Sequence, residues 1–193
     1  MLRRLYDWVM GLAARKNAMW ALAAVSFAES SFFPIPPDVM LIPMVLARRA
    51  KAWLIAAVCT LSSVVGGFAG YAIGYFLFDS VGRAVVELYG QTEAFAQFQS
   101  YYNEWGAWIV AGAGFTPFPY KIITIASGVT GLDLMVFAIA STLSRGARFF
   151  LVAGLLYWLG PPIKGFIERN LGLLTFAFFG LLLGGFVVAR YAF

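Results

Sequence analysis

The sequence contains no histidine, a single cysteine and few charged residues, and each shortage excludes a class of protein. Without histidine, the chain lacks the usual metal ligand and the usual proton shuttle at neutral pH. Cys59 alone cannot form an internal disulfide, which excludes a disulfide-stabilised secreted scaffold. Charged residues form 12% of the chain, against about a quarter in soluble domains. A soluble globular domain is therefore excluded as well.

Hydrophobic residues, in contrast, are abundant, at 62% of 193 positions. Because a helix needs about 20 apolar residues to cross a bilayer, the chain has room for roughly five such segments. We therefore predict an all-α integral membrane protein that forms a single membrane domain over residues 1–193. Its predicted segments are an amphipathic surface helix (2–15), a polar interfacial segment (79–105) and the apolar stretches 18–47, 52–78, 106–131, 134–160 and 171–193.

Two of the apolar stretches contain clustered prolines, which remove backbone donors and end helices. The first stretch, 18–47, is interrupted by Pro34, Pro36, Pro37 and Pro43, and the second, 106–131, by Pro117 and Pro119. Non-helical backbone at membrane depth is tolerated only where protein or a wet cavity surrounds it. We interpret both stretches as re-entrant hairpins that turn at the prolines; the alternative is a kinked spanning helix.

The distribution of charge favours the hairpins. With a hairpin at 18–47, the N-terminal region and the 48–51 loop share one side of the membrane, and the 79–105 segment lies on the other. The first side is strongly basic, whereas 79–105 carries one basic residue, Arg83, against four acids. This is the positive-inside pattern. It predicts a cytoplasmic N-terminus, with 52–78, 134–160 and 171–193 each spanning the membrane once.

The two proline-broken stretches also resemble each other. FPIPPDVMLI (33–42) aligns with TPFPYKIITI (116–125) at an offset of 83, which matches Asp38 to Lys121. Farther on, Thr60-Leu61-Ser62 matches Thr142-Leu143-Ser144 at an offset of 82. Each half thus reads as a hairpin followed by a transmembrane helix. Because the hairpins enter from opposite sides, this is an inverted repeat, an arrangement typical of transporters with a site near the bilayer midplane.

Charged side chains inside the apolar stretches are the candidate functional residues, because intramembrane charges are costly and mark substrate and proton paths. Glu29 and Asp38 flank the first proline turn and are candidates for proton coupling. Hydrogen bonding to the irregular backbone of that turn is the structural alternative.

Three cations are candidates for binding a substrate phosphate. Lys121 either binds an anion or pairs with Asp38 across the two hairpin tips. Arg145 and Arg148 are three residues apart, hence on one helix face, and the planar guanidinium suits phosphate. Snorkelling to the interface is the alternative for a single arginine. Gly66, Gly70 and Gly74 form a small-residue seam that predicts close helix packing.

These residues resemble the DedA family, part of the wider VTT-domain superfamily. The first signature is ESSFFPIPPD (29–38); the second, GFTPFPYK (114–121) followed by SRGARF (144–149), is similar to the YqaA-like branch. The resemblance implies opposed re-entrant hairpins and lipid translocation in the bacterial inner membrane. It assigns Glu29 and Asp38 to the family's acidic positions, and Arg145 and Arg148 to its helix arginines. Many members carry more arginines at the second hairpin, where this chain has Lys121.

The leading hypothesis is therefore a proton-coupled flippase for a phosphate-bearing lipid, either a polyprenyl phosphate or a phospholipid. A passive scramblase and a non-transporting scaffold whose embedded charges only pair with each other are the alternatives. No nucleophile–base arrangement, nucleotide-binding loop or metal-ligand cluster is present, so we expect no enzyme activity, no cofactor and no metal. The expected partners are the lipid and protons, without nucleic acid; a homo-oligomer is left open.

Overall fold

The computed structural model describes residues 17–33, 35–116 and 118–160. These ranges contain helices and turns but no strand. The predicted helix at 2–15, the predicted span at 171–193, and the turn residues Pro34 and Pro117 lie outside the described residues.

Seven α-helices follow one another in the described ranges, which bears out the all-α prediction. They are α1 (Ala18–Ser31), α2 (Asp38–Ala47), α3 (Ala52–Leu77), α4 (Arg83–Leu88), α5 (Thr92–Phe115), α6 (Tyr120–Thr130) and α7 (Leu134–Gly160). A 3₁₀ turn at Arg49–Lys51 joins α2 to α3, and a π-helical turn at Phe78–Gly82 joins α3 to α4.

Two helices in the described ranges are long and apolar enough to cross a membrane. They are Arg49–Leu88, which combines α3 with its flanking turns and α4, and Leu134–Gly160, which is α7. These contain the spans predicted at 52–78 and 134–160. The first has 40 residues, more than the roughly 20 that a bilayer requires, and its C-terminal end includes residues 79–88 of the predicted polar segment.

The described residues at both predicted proline turns are non-helical. The first break separates Ser31 from Asp38, and the second separates Phe115 from Tyr120. Pro37 and Pro119 immediately precede α2 and α6, where a missing backbone N–H costs no helical hydrogen bond. Pro43 differs from the prediction, because it lies within α2 and does not interrupt it.

Helix α5 continues across the predicted boundary between the polar segment and the second apolar stretch. It begins at Thr92 and ends at Phe115 without a break at residues 105–106. Its polar N-terminal half packs near the end of α3, where Phe95 stacks on Phe78 at a centroid distance of 4.6 Å. Farther along, the Tyr102 hydroxyl lies 3.1 Å from Ser127 Oγ of α6, and burial raises the pKa of Tyr102 to about 12.

Helix α3 lies at the centre of the fold and packs closely on α1 and α6. Its predicted glycine seam makes both contacts. A Cβ added at Gly66 would lie 2.2 Å from the Phe27 carbonyl oxygen of α1, and one at Gly74 would lie 2.0 Å from that of Ile125 in α6. Since there is no room for even a Cβ atom at these positions, the glycine seam serves close helix packing, as the sequence predicts.

The buried apolar side chains of the described residues form two separate clusters, both of which include residues of α3 and α7. The first joins α1 and α2 to the C-terminal half of α7 and includes Leu22, Leu41 and Phe149. The second joins α5 and α6 to the N-terminal half of α7 and includes Tyr120 and Phe137. Arg145 lies along α7 between Phe137 and Phe149, so a buried charge separates the two cores.

Candidate functional site

Four of the five predicted site charges meet in two ion pairs. Both pairs link α7 to the elements around the first helix break. Glu29 of α1 pairs with Arg145, and Asp38, the first residue of α2, pairs with Arg148. The spacing of three residues places the arginines on neighbouring parts of one α7 face, as predicted. Pairing among the embedded charges was one of the sequence-based alternatives, but the carboxylate partner of each arginine was not predicted.

The Arg145–Glu29 pair is almost entirely buried. Arg145 Nη2 donates to Glu29 Oε2 at 2.7 Å, with side-chain exposures of 2% and 12%. Arg145 Nε donates to Ser63 Oγ of α3 at 2.6 Å. A guanidinium excluded from water needs a counter-charge and acceptors for its N–H groups. Glu29 supplies the counter-charge, and Glu29 and Ser63 accept hydrogen bonds from two of the three guanidinium nitrogens.

Two aromatic rings complete the surroundings of Arg145. Its guanidinium carbon lies 4.7 Å from the centroid of the Tyr120 ring and 4.6 Å from that of Phe149. Both distances lie within the range of cation–π attraction, which is stronger when the cation is desolvated. Tyr120 is itself fixed, since its hydroxyl donates to Ser141 Oγ at 2.5 Å. Arg145 is therefore held from several sides.

A chain of serine hydroxyls connects the pair to α1 and α3. Ser63 Oγ lies 2.7 Å from Ser30 Oγ, which donates to Glu29 Oε2 at 3.2 Å. Ser30 and Ser63 were not among the functional residues predicted from the sequence. One signal was available for Ser63, because the offset of 82 that relates Ser62 to Ser144 also relates Ser63 to Arg145.

The Arg148–Asp38 pair connects the two helix breaks. Arg148 Nη2 donates to Asp38 Oδ2 at 2.6 Å, at the start of α2. Its Nη1 donates to the Thr116 carbonyl oxygen at 2.5 Å, at the end of α5. The side chains of Arg148 and Asp38 are 16% and 19% exposed, more than those of Arg145 and Glu29. One guanidinium thus reaches both breaks from α7.

Lys121 is not paired with Asp38, which is bound to Arg148 instead. One of the two roles predicted for Lys121, an ion pair with Asp38, is therefore wrong. Arg148 of α7 is the partner of Asp38. Lys121 is the second residue of α6, directly after the second break, and its side chain is half-buried. Within the described residues it forms no ion pair, so its charge remains available.

Buried hydroxyls also form hydrogen bonds between α1 and α3 and between α6 and α1. Ser26 Oγ donates to the Cys59 carbonyl oxygen at 2.7 Å, Ser31 Oγ to that of Gly66 at 2.8 Å, and Thr124 Oγ1 to that of Ser30 at 2.9 Å. These bonds satisfy the hydroxyls without water and hold the helices in register. Within the described residues, no group of three or more metal-ligating acidic or cysteine side chains is present.

Comparisons with known proteins agree with the sequence signatures. The VTT domain matches residues 35–158. An uncharacterised protein of Haemophilus influenzae is 39% identical over 86% of both chains. A homologue in Histophilus somni is 42% identical over 86% of this chain and 87% of its own length.

A more distant relative is a membrane protein of the Golgi apparatus. The Golgi apparatus membrane protein TVP38 of Eremothecium gossypii is 32% identical over 62% of this chain, which covers 36% of the TVP38 length. No solved structure matches the chain. The resemblance to the DedA family is confirmed, and the chain belongs to the VTT domain family of membrane proteins.

Proposed function

We propose that the protein is a transporter that moves a phosphate-bearing lipid, a polyprenyl phosphate or a phospholipid, across the bacterial inner membrane in exchange for protons. The observation that carries the proposal is the pair of carboxylate–arginine contacts between two apolar cores. Replacing a buried ion pair by apolar side chains is often neutral or stabilising, so stability alone is a weak reason to keep two. Intramembrane charges of this kind usually serve a substrate or proton path.

The arginines and the carboxylates have opposite roles in this mechanism. A guanidinium that binds a carboxylate also binds a phosphate, because both anions accept two parallel N–H donors. Protonation of a carboxylate removes its charge, weakens its hold on the arginine and frees that arginine for the headgroup. Proton uptake and headgroup binding are then linked by competition. Lys121 supplies a further cation at the second break.

The two helix breaks serve as the moving parts. We interpret them as the turns of opposed re-entrant hairpins in an inverted repeat, with a cytoplasmic N-terminus and several membrane spans. Arg148 is bonded to both breaks, through Asp38 and the Thr116 carbonyl. Replacement of Asp38 by a headgroup would release one hairpin from the other and open a path between them. The lipid leaves unchanged, so the protein acts without enzyme chemistry.

A reconstituted flipping assay tests the proposal. Purified protein in liposomes is supplied with a radiolabelled polyprenyl phosphate or phospholipid, with and without an imposed pH gradient. We expect wild-type protein to move a phosphate lipid faster with the gradient, and Glu29→Gln and Asp38→Asn to lose that dependence. Asp79→Asn is the matched control, because Asp79 forms an exposed ion pair with Arg83.

Three outcomes would contradict the proposal. Equal rates with and without the gradient would identify a passive scramblase. Transport by both amide variants with unchanged gradient dependence would exclude their carboxylates from proton coupling. No transport of any phosphate lipid by well-folded protein would leave a scaffold whose charges only pair with each other.

A further inference from the structure

The two ion pairs of the site differ in ways that matter for ligand exchange. Arg145 is 2% exposed and has Glu29, Ser63 and two aromatic faces around it. A phosphate would have to separate those rings to reach it. Arg148 is 16% exposed, and the partners that hold its guanidinium are Asp38 and one backbone carbonyl. The cost of access is therefore much higher at Arg145.

The two arginines also differ in the surroundings that each would have after its carboxylate partner is removed. Loss of Glu29 leaves a desolvated guanidinium inside the core, which is strongly unfavourable. Loss of the Asp38 contact leaves Arg148 partly exposed and still bonded to Thr116. An incoming anion at Arg148 replaces one negative charge by another without dismantling a packed core.

Asp38 also lies where a phosphate would be favoured. It is the first residue of α2, so its carboxylate is near the positive end of that ten-residue helix as well as near Arg148. The guanidinium donors of Arg148 suit phosphate oxygens, and the positive end of the helix favours an anion beside them. The Asp38 carboxylate thus accepts from a guanidinium donor that a phosphate oxygen could also accept from.

We infer that Asp38 is an internal competitor at an anion site on Arg148, which the substrate's phosphate group takes over, whereas Glu29 remains on Arg145 as a fixed structural partner. This assignment rests on the proposed function and narrows it: Asp38 is the carboxylate that gives up its arginine to the headgroup, whereas Glu29 stays bonded to Arg145 even when it takes up a proton. Arg148 is then the residue that contacts the headgroup, and Arg145 is a positioning residue that holds α1, α3 and α7 together.

Equilibrium binding to the full-length protein in detergent micelles tests the assignment without transport. The probe is dioctanoyl phosphatidic acid, and dioctanoylglycerol is the matched probe without phosphate. Asp38→Asn should tighten binding of the phosphatidic acid by at least about tenfold, the equivalent of one charge-assisted hydrogen bond. Glu29→Gln should lower the unfolding temperature without tightening binding, and Arg148→Gln should abolish binding. Dioctanoylglycerol should show no difference among the variants.

Several results would overturn the assignment. It fails if Asp38→Asn does not tighten binding, or if Glu29→Gln tightens it equally. Asp38→Ser provides the same test should the asparagine variant not purify as a single species. Inorganic phosphate distinguishes the source of the anion: binding as tight as that of the lipid probe would exclude a lipid headgroup site.

The outcomes separate this inference from the proposed function. If wild-type protein flips phosphate lipids but Asp38→Asn binds the probe no more tightly, the competitor role is wrong and transport stands. If Asp38→Asn tightens binding but neither the wild-type protein nor any variant flips lipid, the anion site stands and the transport function is wrong.

Discussion

At the scale of single residues, the site is defined by what compensates each charge. Glu29 and Asp38 both lie beside an arginine, but only Arg145 is enclosed by a serine and two aromatic rings. Embedded charges could be identified from the sequence because they interrupt apolar stretches. Their pairing could not, since the arginines follow the carboxylates by 116 and 110 positions. The serines were missed because a buried serine and an exposed one look alike in a sequence.

A double-mutant cycle tests the enclosure of Arg145. Glu29→Ala should cost about 3–5 kcal/mol of unfolding free energy, because it leaves a buried guanidinium without its counter-charge. Adding Arg145→Met should restore part of that loss, since the second change removes the uncompensated charge. Unfolding by detergent titration is the measurement. Additive losses in the double variant would show that the two side chains are not coupled.

Ser63 should matter far more than its neighbour in the sequence. Ser63→Ala removes the acceptor of Arg145 Nε and the partner of Ser30, so we expect a loss of about 1–3 kcal/mol. Ser62 lies on the same helix, and the described part of the chain offers its side chain no hydrogen bond, so Ser62→Ala is the matched control. Equal unfolding midpoints for both variants would contradict a structural role for the Ser63 hydroxyl.

At the scale of helices, the sequence predicted the two helix breaks at the proline clusters more accurately than it predicted the other helix ends. Prolines located the ends of α1 and α5 because a missing donor acts within one turn. Pro43 was expected to break the first stretch and is instead accommodated inside α2. Helix α5 crosses from polar to apolar sequence without a break, because a change of surroundings does not by itself end a helix. The glycine seam was predictable, since its spacing alone defines one face.

Substitutions in the seam provide a graded test of helix packing. Gly66→Ala and Gly74→Ala place a Cβ against backbone atoms of α1 and α6, so each should cost about 1–3 kcal/mol through overpacking. Gly112→Ala is the control, because a Cβ there meets nothing within 4 Å and alanine favours the helix by up to about 1 kcal/mol. Thermal unfolding in detergent compares the three. Unchanged stability in both seam variants would contradict the close approach to α3.

At the scale of the whole molecule, the arrangement of charge carries two kinds of information. Exposed basic residues near the start of α3 contrast with acids around α4 and α5, and this asymmetry predicts orientation. The few embedded charges mark the site. Sequence composition separates these groups because burying a charge is costly, so position within an apolar run is itself informative. Which helix face meets which partner depends on packing between distant segments and required the structure.

The orientation can be tested with single cysteines in a Cys59→Ala background. Lys51→Cys and Glu93→Cys both introduce an exposed thiol, one in the 3₁₀ turn before α3 and the other near the start of α5. Because α3 crosses the membrane between them in the predicted topology, an impermeant thiol reagent added to intact spheroplasts should label residue 93. Residue 51 should react only after permeabilisation. Labelling of both positions from the same side would overturn the topology, and with it the opposed hairpins on which the proposed transport path depends.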